Sequence, residues 1–343
     1  ARSLIGLAIG TLIGGFWQLS AQFPSLRRVG YRYHADFEWR DPGVRTVLTL
    51  MGPAVIAASA VQVNVLVNSG FAARLGDGPV SWLNIAFRLM QLPLGIFGVA
   101  VGTVTLPLVS RTAAVGDTSG FRAALAHAIR LVILLTVPAA IGLIVLAQPI
   151  ISVIYEHGRF TPEATLQTAA ALQFYAIGLV AYSAVKVLAP AFYAIDKRYL
   201  PMVVSMLSIL VNFALNWFFM FKLQLGHRGL ALSTSLVALS NFFLLYVMMR
   251  RHAGRLETTE LFKTFAKVAV AGAVLAAVCW FALQFLFSRT PLPLWKKVVD
   301  LAITIALGVF TFFSAAFLLR VNEVRDVVDL IRRRFARPNQ PSA

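Results

Sequence analysis

The sequence predicts an all-α fold, a polytopic transmembrane helical bundle, and three observations carry that prediction. Of the 343 residues, 59% are hydrophobic and only 13% are charged, about half the charged share of an ordinary soluble domain. Long apolar runs alternate with short segments that hold most of the charge, a pattern that a bilayer rewards. The net charge of +17 sits beside the apolar runs instead of forming one basic stripe, which argues against nucleic acid as a partner.

Nine spans follow in order, approximately 3–23, 47–73, 82–110, 124–147, 164–193, 199–221, 229–249, 264–287 and 294–319. Each is long enough to cross about 30 Å of hydrocarbon at about 1.5 Å per residue. A helix is the open-chain structure that satisfies its own backbone hydrogen bonds there. The first span carries Gly6, Gly10 and Gly14, and the third carries Gly98 and Gly102. Small residues four apart let helix backbones meet, so helix packing is their expected role. Pro93 and Gly95 weaken the hydrogen-bond ladder of the third span and allow it to bend. Cys279, the single cysteine, lies inside the eighth span as lipid-facing or packed filler and excludes an intrachain disulfide. The chain opens at Ala1 on an apolar run, without an initiating Met or a basic n-region, and so reads as truncated or cut from something longer.

Running the first span from outside to inside places twenty basic side chains on the inner face and eight on the outer. That excess obeys the positive-inside rule. It puts the mixed-charge connection 24–46 and the C-terminal tail in the cytoplasm, and it makes 24–46 a tether between two bundles or a plain solvated loop.

Catalytic signatures are missing. The five histidines are scattered, and there is no HExxH, P-loop, GxSxG or carboxylate pair inside a span; no enzyme activity and no cofactor are expected. Charged groups within spans are few. Arg88, in the third span, costs about 2.5–3.5 kcal/mol at mid-depth, so it should face a wet cavity or a partner. Asn84 at i−4 and Gln91 at i+3 share its helix face. A cationic fork beside amides suits a phosphate or pyrophosphate headgroup, and equally an acidic drug or a structural carboxylate. Lys186, in the fifth span, is a second candidate for substrate binding, or its stem snorkels to the headgroups. Arg130, in the fourth span, is expected to snorkel inward. Asn64, Asn68, Asn212, Asn216 and Asn241 are buried amides that either bridge helices or give oxygen ligands to a small cation.

Four ordered stretches carry a resemblance: MGPAVIAASAVQVNVLVNSGFAARL, GPVSWLNIAFRLMQLPLGIFGVAVGTVTLPLVSR, YEHGRFTPEAT and VKVLAPAFYAIDKRYLP. With these the chain resembles the MurJ (MviN) lipid II flippases, of the superfamily that also holds multidrug and polysaccharide exporters. The resemblance implies a fourteen-helix fold with two six-helix lobes around a cationic cavity and two further C-terminal helices, the nine spans being helices six to fourteen. It divides the chain into 1–23, the last helix of the N-lobe; 24–46, the cytoplasmic inter-lobe linker; 47–250, the C-lobe; 251–320, two helices forming a lipid groove; and 321–343, a basic cytoplasmic tail.

The implied activity is movement of the undecaprenyl-pyrophosphate-linked peptidoglycan precursor, lipid II, across the bacterial inner membrane by alternating access, for cell wall synthesis. Lipid II, membrane lipids and other cell wall synthesis proteins are the implied partners. Arg88 falls on the family's cavity arginine. The family's first five helices are absent, so this chain alone is expected not to transport. The resemblance also implies a sodium site, with carboxylates where Asn68 and Asn216 stand here; with Asn212, these make the candidate metal site, and coupling by sodium, protons or membrane potential stays open. Gln91 stands where some relatives carry glutamate. The rival readings are a polysaccharide-unit or multidrug exporter, a membrane-embedded glycosyl- or acyltransferase, and a non-transporting scaffold.

Overall fold

The computed structural model describes residues 2–28, 30, 41–254, 256–286 and 293–324, all helical or in helix connections. They fall into two compact units, residues 1–51 and 52–343. The first holds α1 (Arg2–Arg28) and the opening turns of α2 (Pro42–Ala73). Asp41 begins α2 by accepting from the Gly43 and Val44 backbone N–H groups, an N-terminal cap that favours Asp. Residues 24–28 of the expected linker continue α1 and 42–46 begin α2; positions 29 and 31–40 lie outside the described residues. Within this unit no atom comes within 4 Å of where a Cβ would stand on Gly6, Gly10 or Gly14.

The second unit continues α2 and adds α3 (Pro79–Pro93), α4 (Ala100–Ala114), α5 (Thr118–Val145), α6 (Ala147–Tyr155), α7 (Pro162–Ala194), α8 (Tyr199–Trp217), α9 (Gly226–Ala253), α10 (Thr258–Leu286) and α11 (Leu294–Leu318). Seven helices among the described residues are long and apolar enough to cross a membrane, and they are the third to ninth of the expected spans. The other two expected spans are α1 and α2, helices of 27 and 32 residues. Several helices overrun the expected bounds, as α10 does by starting at Thr258. Hydropathy marks the part in hydrocarbon, whereas the helix continues into the interface. The short α6 has no counterpart among the expected spans, because the chain breaks at Leu146 and turns within a continuous apolar stretch.

At Pro93 and Gly95 the regular α-helical ladder of the third span is interrupted. The chain widens into a π-helical turn at Leu94–Val99 between α3 and α4, where Pro93 offers no N–H to the ladder. A second π-helical turn, Phe218–Lys222, ends α8.

The bundle is assembled around α7. Thr161 caps it by accepting from Ala164 N at 3.2 Å, Pro162 takes its first position, and Glu163 lies in the first turn where the helix dipole favours an acid. Between apolar helices in lipid, close packing replaces the hydrophobic effect, and small residues supply it. A Cβ on Gly178 would stand 2.9 Å from Ser235 Cα of α9. Ser235 Oγ donates to Phe174 O at 2.6 Å, so the same contact is hydrogen-bonded. Gly98 sits against Ser183, and Gly102 against the Lys186 backbone carbonyl at 2.9 Å, so this glycine pair serves packing. Cys279 is buried, its Sγ 2.8 Å from a Cβ position on Gly308; it is packed filler between α10 and α11. Gly178→Val is expected to cost about 1–3 kcal/mol by forcing α7 and α9 apart, read as a lower unfolding midpoint of the purified protein.

Two clusters make the core. One joins α5, α7, α9, α10 and α11 around Leu134, Leu188, Met249 and Phe312. The other joins α2, α3, α7 and α9 around Phe71, Met90, Leu172 and Leu230. Large apolar side chains such as Leu210, Phe285, Phe310 and Leu318 face outward, as lipid contact requires.

Candidate functional site

The face of α3 that carries Asn84, Arg88 and Gln91 is exposed, while Leu83, Ala86 and Met90 on its other side are buried. Two spaces flank this helix. On one side is a chamber of about 70 Å³, walled by α2, α3, α7, α8 and α9, in which amides and hydroxyls are set among apolar side chains. Asn64, Asn68, Asn84, Ser208, Tyr182 and Asn241 line it. On the other side is an apolar slot of about 480 Å³ between α3, α5, α6, α10 and α11. Leu89, Leu92 and Pro93 of α3 form one wall of it, and Leu275, Ile305 and Phe312 belong to the opposite wall.

Arg88 stands on the turn between Asn84, which lines the chamber, and Leu92, which lines the slot. Its guanidinium makes no ion pair or hydrogen bond with any described residue, and neither does the Gln91 amide. Asn84 Nδ2 donates back to Val80 O at 2.8 Å. A guanidinium carries five N–H donors in a rigid fork, a geometry that suits anions. Of the expected substrate-binding residues, Asn84 lines the chamber; Arg88 and Gln91 share its helix face but line neither space. Lys186 is exposed on α7, lines neither space and has no partner among the described residues.

The expected cation residues come together behind the chamber. Asn216 Nδ2 donates to Asn68 Oδ1 at 2.7 Å and to Asn212 Oδ1 at 3.1 Å. Asn68 Nδ2 donates to Thr234 Oγ1 at 2.8 Å, and Ser233 Oγ donates to Asn216 Oδ1. All five side chains are buried. The set does not fit a sodium ion: the three amide oxygens each accept a hydrogen bond from within the cluster, and the cluster has no formal negative charge. Among the described residues, no group of His, Cys, Asp or Glu could hold a metal ion either.

Arg130, expected to snorkel inward, is held by two carboxylates. Its Nε donates to Glu323 Oε1 at 2.6 Å and its Nη1 to Glu257 Oε2 at 2.7 Å. The side chain is 15% exposed, and that of Glu323 is 5% exposed. The carboxylates come from the segments before α10 and after α11, close in space but remote in sequence, so no helical spacing could reveal them. At the opposite end of the same helix pair, Lys297 Nζ donates to Ser152 Oγ at 3.0 Å and lies 3.5 Å from Glu156 Oε1. Thr165 Oγ1 in turn donates to Glu156 Oε2 at 2.8 Å. Ion pairs therefore fasten α11 to the bundle near both ends and α10 at its start, beside the slot.

Residues 1–293 match the family model described as lipid II flippase MurJ. The chain is 34% identical over 321 residues to the probable lipid II flippase MurJ of Vibrio cholerae, covering 92% of this chain and 60% of that protein. It is 34% identical over 284 residues to the lipid II flippase MurJ of Burkholderia cenocepacia, covering 81% and 55%. It thus spans about 60% of the length of the curated relatives it matches. A solved lipid II flippase MurJ in an inward closed conformation superposes with a TM-score of 0.69 at 24% identity, over 92% of this chain and 61% of that one. An outward-facing multidrug resistance MATE family transporter gives 0.54 at 16% identity, over 83% and 67%. At these identities the structural likeness shows a shared fold. The chain is a multi-pass membrane protein that belongs to the lipid II flippase MurJ family, a family of transporters and not of enzymes.

Proposed function

We propose that the protein moves lipid II from the inner to the outer leaflet of the bacterial cytoplasmic membrane by alternating access, supplying cell wall synthesis. The single observation that carries this reading is the position of Arg88, exposed on a helix with an amide-bearing chamber on one side and an apolar slot on the other. A ligand that suits the arginine and the slot together has an anionic, hydrogen-bonding head and a long hydrocarbon tail. Arg88 holds the pyrophosphate, Asn84 and Gln91 bond the polar head, and Lys186 adds positive charge on the neighbouring helix. The tail stays in the slot, since exposing it to water costs about 0.8 kcal/mol per CH₂.

In this reading residues 47–250 form one lobe, 1–23 end the other, and 251–320 form the groove for the polyprenyl chain. The connection 24–46 and the tail 321–343 lie in the cytoplasm, as the charge asymmetry supports. Membrane lipids and other cell wall synthesis proteins are its further partners. Binding of the purified protein to lipid II and to O-antigen lipids separates the readings, with tighter binding of lipid II expected. Equal or tighter binding of the O-antigen lipids transfers the assignment to a polysaccharide-unit exporter of the same fold, and binding of neither removes it.

A further inference from the structure

The position where family resemblance places a sodium ion is filled here by five neutral side chains, and their hydrogen bonds have a direction. A dehydrated cation in a membrane needs several oxygens turned toward it to replace its lost water, and carboxylates among them strengthen the site. Instead, the Asn216 amide nitrogen lies between Asn68 Oδ1 and Asn212 Oδ1, giving one hydrogen to each. A donor occupies the point where a cation would have to stand.

The surrounding bonds favour that orientation, although the buried Asn212 Nδ2 has no partner among the described residues. Ser233 Oγ lies within reach of both Asn216 Oδ1 and Leu230 O, and when its one hydrogen goes to Asn216 it holds the amide from behind. Asn68 Nδ2 is committed to Thr234 Oγ1, and Thr234 Oγ1 donates onward to Leu230 O at 2.9 Å. Turning the Asn216 amide over would set three carbonyl oxygens against one another with no positive charge between them. It would also face Ser233 with an N–H in place of an acceptor. Asn212 and Asn216 are 0% exposed, as is Ser233, so water does not relieve either arrangement. The network spans three helices: Asn68 belongs to α2, Asn212 and Asn216 to α8, and Ser233 and Thr234 to α9.

We propose that this cluster is a cation-free lock, a network of neutral amides and hydroxyls that ties α2 to α8 and α9 and leaves the protein indifferent to sodium. It performs with hydrogen bonds the bridging that a bound ion performs between carboxylates. The lock does not depend on what the protein carries, so its tests leave the lipid reading standing or falling separately.

The experiment is thermal unfolding of the purified protein in lipid nanodiscs, in sodium chloride and in choline chloride at equal ionic strength. The same midpoint in both is expected, and a sodium-specific rise overturns the proposal. Asn216→Leu, which keeps the branched shape at a somewhat larger volume and removes both donors, is expected to lower the midpoint by several degrees in either salt. An unchanged midpoint overturns the role as a lock. The double variant Asn68→Asp with Asn216→Asp restores negative charge between the same helices. Its midpoint is expected to rise with the logarithm of sodium concentration and not with choline; a double variant without that response overturns the assignment of this cluster to the cation position.

Discussion

Cells whose sole copy of the complete, full-length gene carries Arg88→Ala are expected to stop growing and to accumulate lipid-linked precursor on the inner leaflet. The side chain is exposed and unpaired among the described residues, so its loss leaves no buried carboxylate behind and the protein should reach the membrane in normal amount. That separates a transport defect from a folding defect, and immunoblotting of membranes checks it. A hydrogen bond to a charged group is worth about 1.5–3 kcal/mol, so loss of a two-pronged contact to pyrophosphate should weaken binding about tenfold to a hundredfold or more. Arg88→Lys keeps the charge but not the planar fork, and an intermediate affinity is expected. Normal growth of the alanine variant at normal expression would remove Arg88 from the binding site, and with it the main support for the proposed substrate.

The second large effect is on stability. Arg130→Met leaves Glu323 buried and without its partner, and it removes the ion pair to the more exposed Glu257. Breaking a buried pair from one side costs about 3–5 kcal/mol, because the remaining charge is uncompensated. A sharply lower unfolding midpoint and poor recovery from membranes are therefore expected. Adding Glu323→Gln to Arg130→Met removes that stranded charge and should restore much of the loss. If the single variant unfolds like the parent, the triad contributes nothing to holding α10 and α11 in place.

Much of this was legible in the sequence, for reasons particular residues make clear. The spans could be read because hydrocarbon demands long apolar helices, and Pro93 with Gly95 announced the interruption that the π-helical turn provides. Arg88 could be singled out because an arginine within an apolar run is costly and Asn84 and Gln91 fall on its face by helical spacing alone. The Arg130 triad could not be found this way. Its carboxylates lie 127 and 193 residues away, and only the folded helix pair brings them near. The Asn68–Asn216 contact, 148 residues apart, needed the fold for the same reason, although the residue types had suggested a shared role. The slot was invisible because no spacing rule shows that Leu89, Leu275 and Phe312 face one another.

The fastening of α11 near both ends, and of α10 at its start, has a mechanical consequence. A helix pair tied at one end could swing like a door, and the width of the space behind it would vary. With these ties, opening the slot from either end would part a salt bridge first.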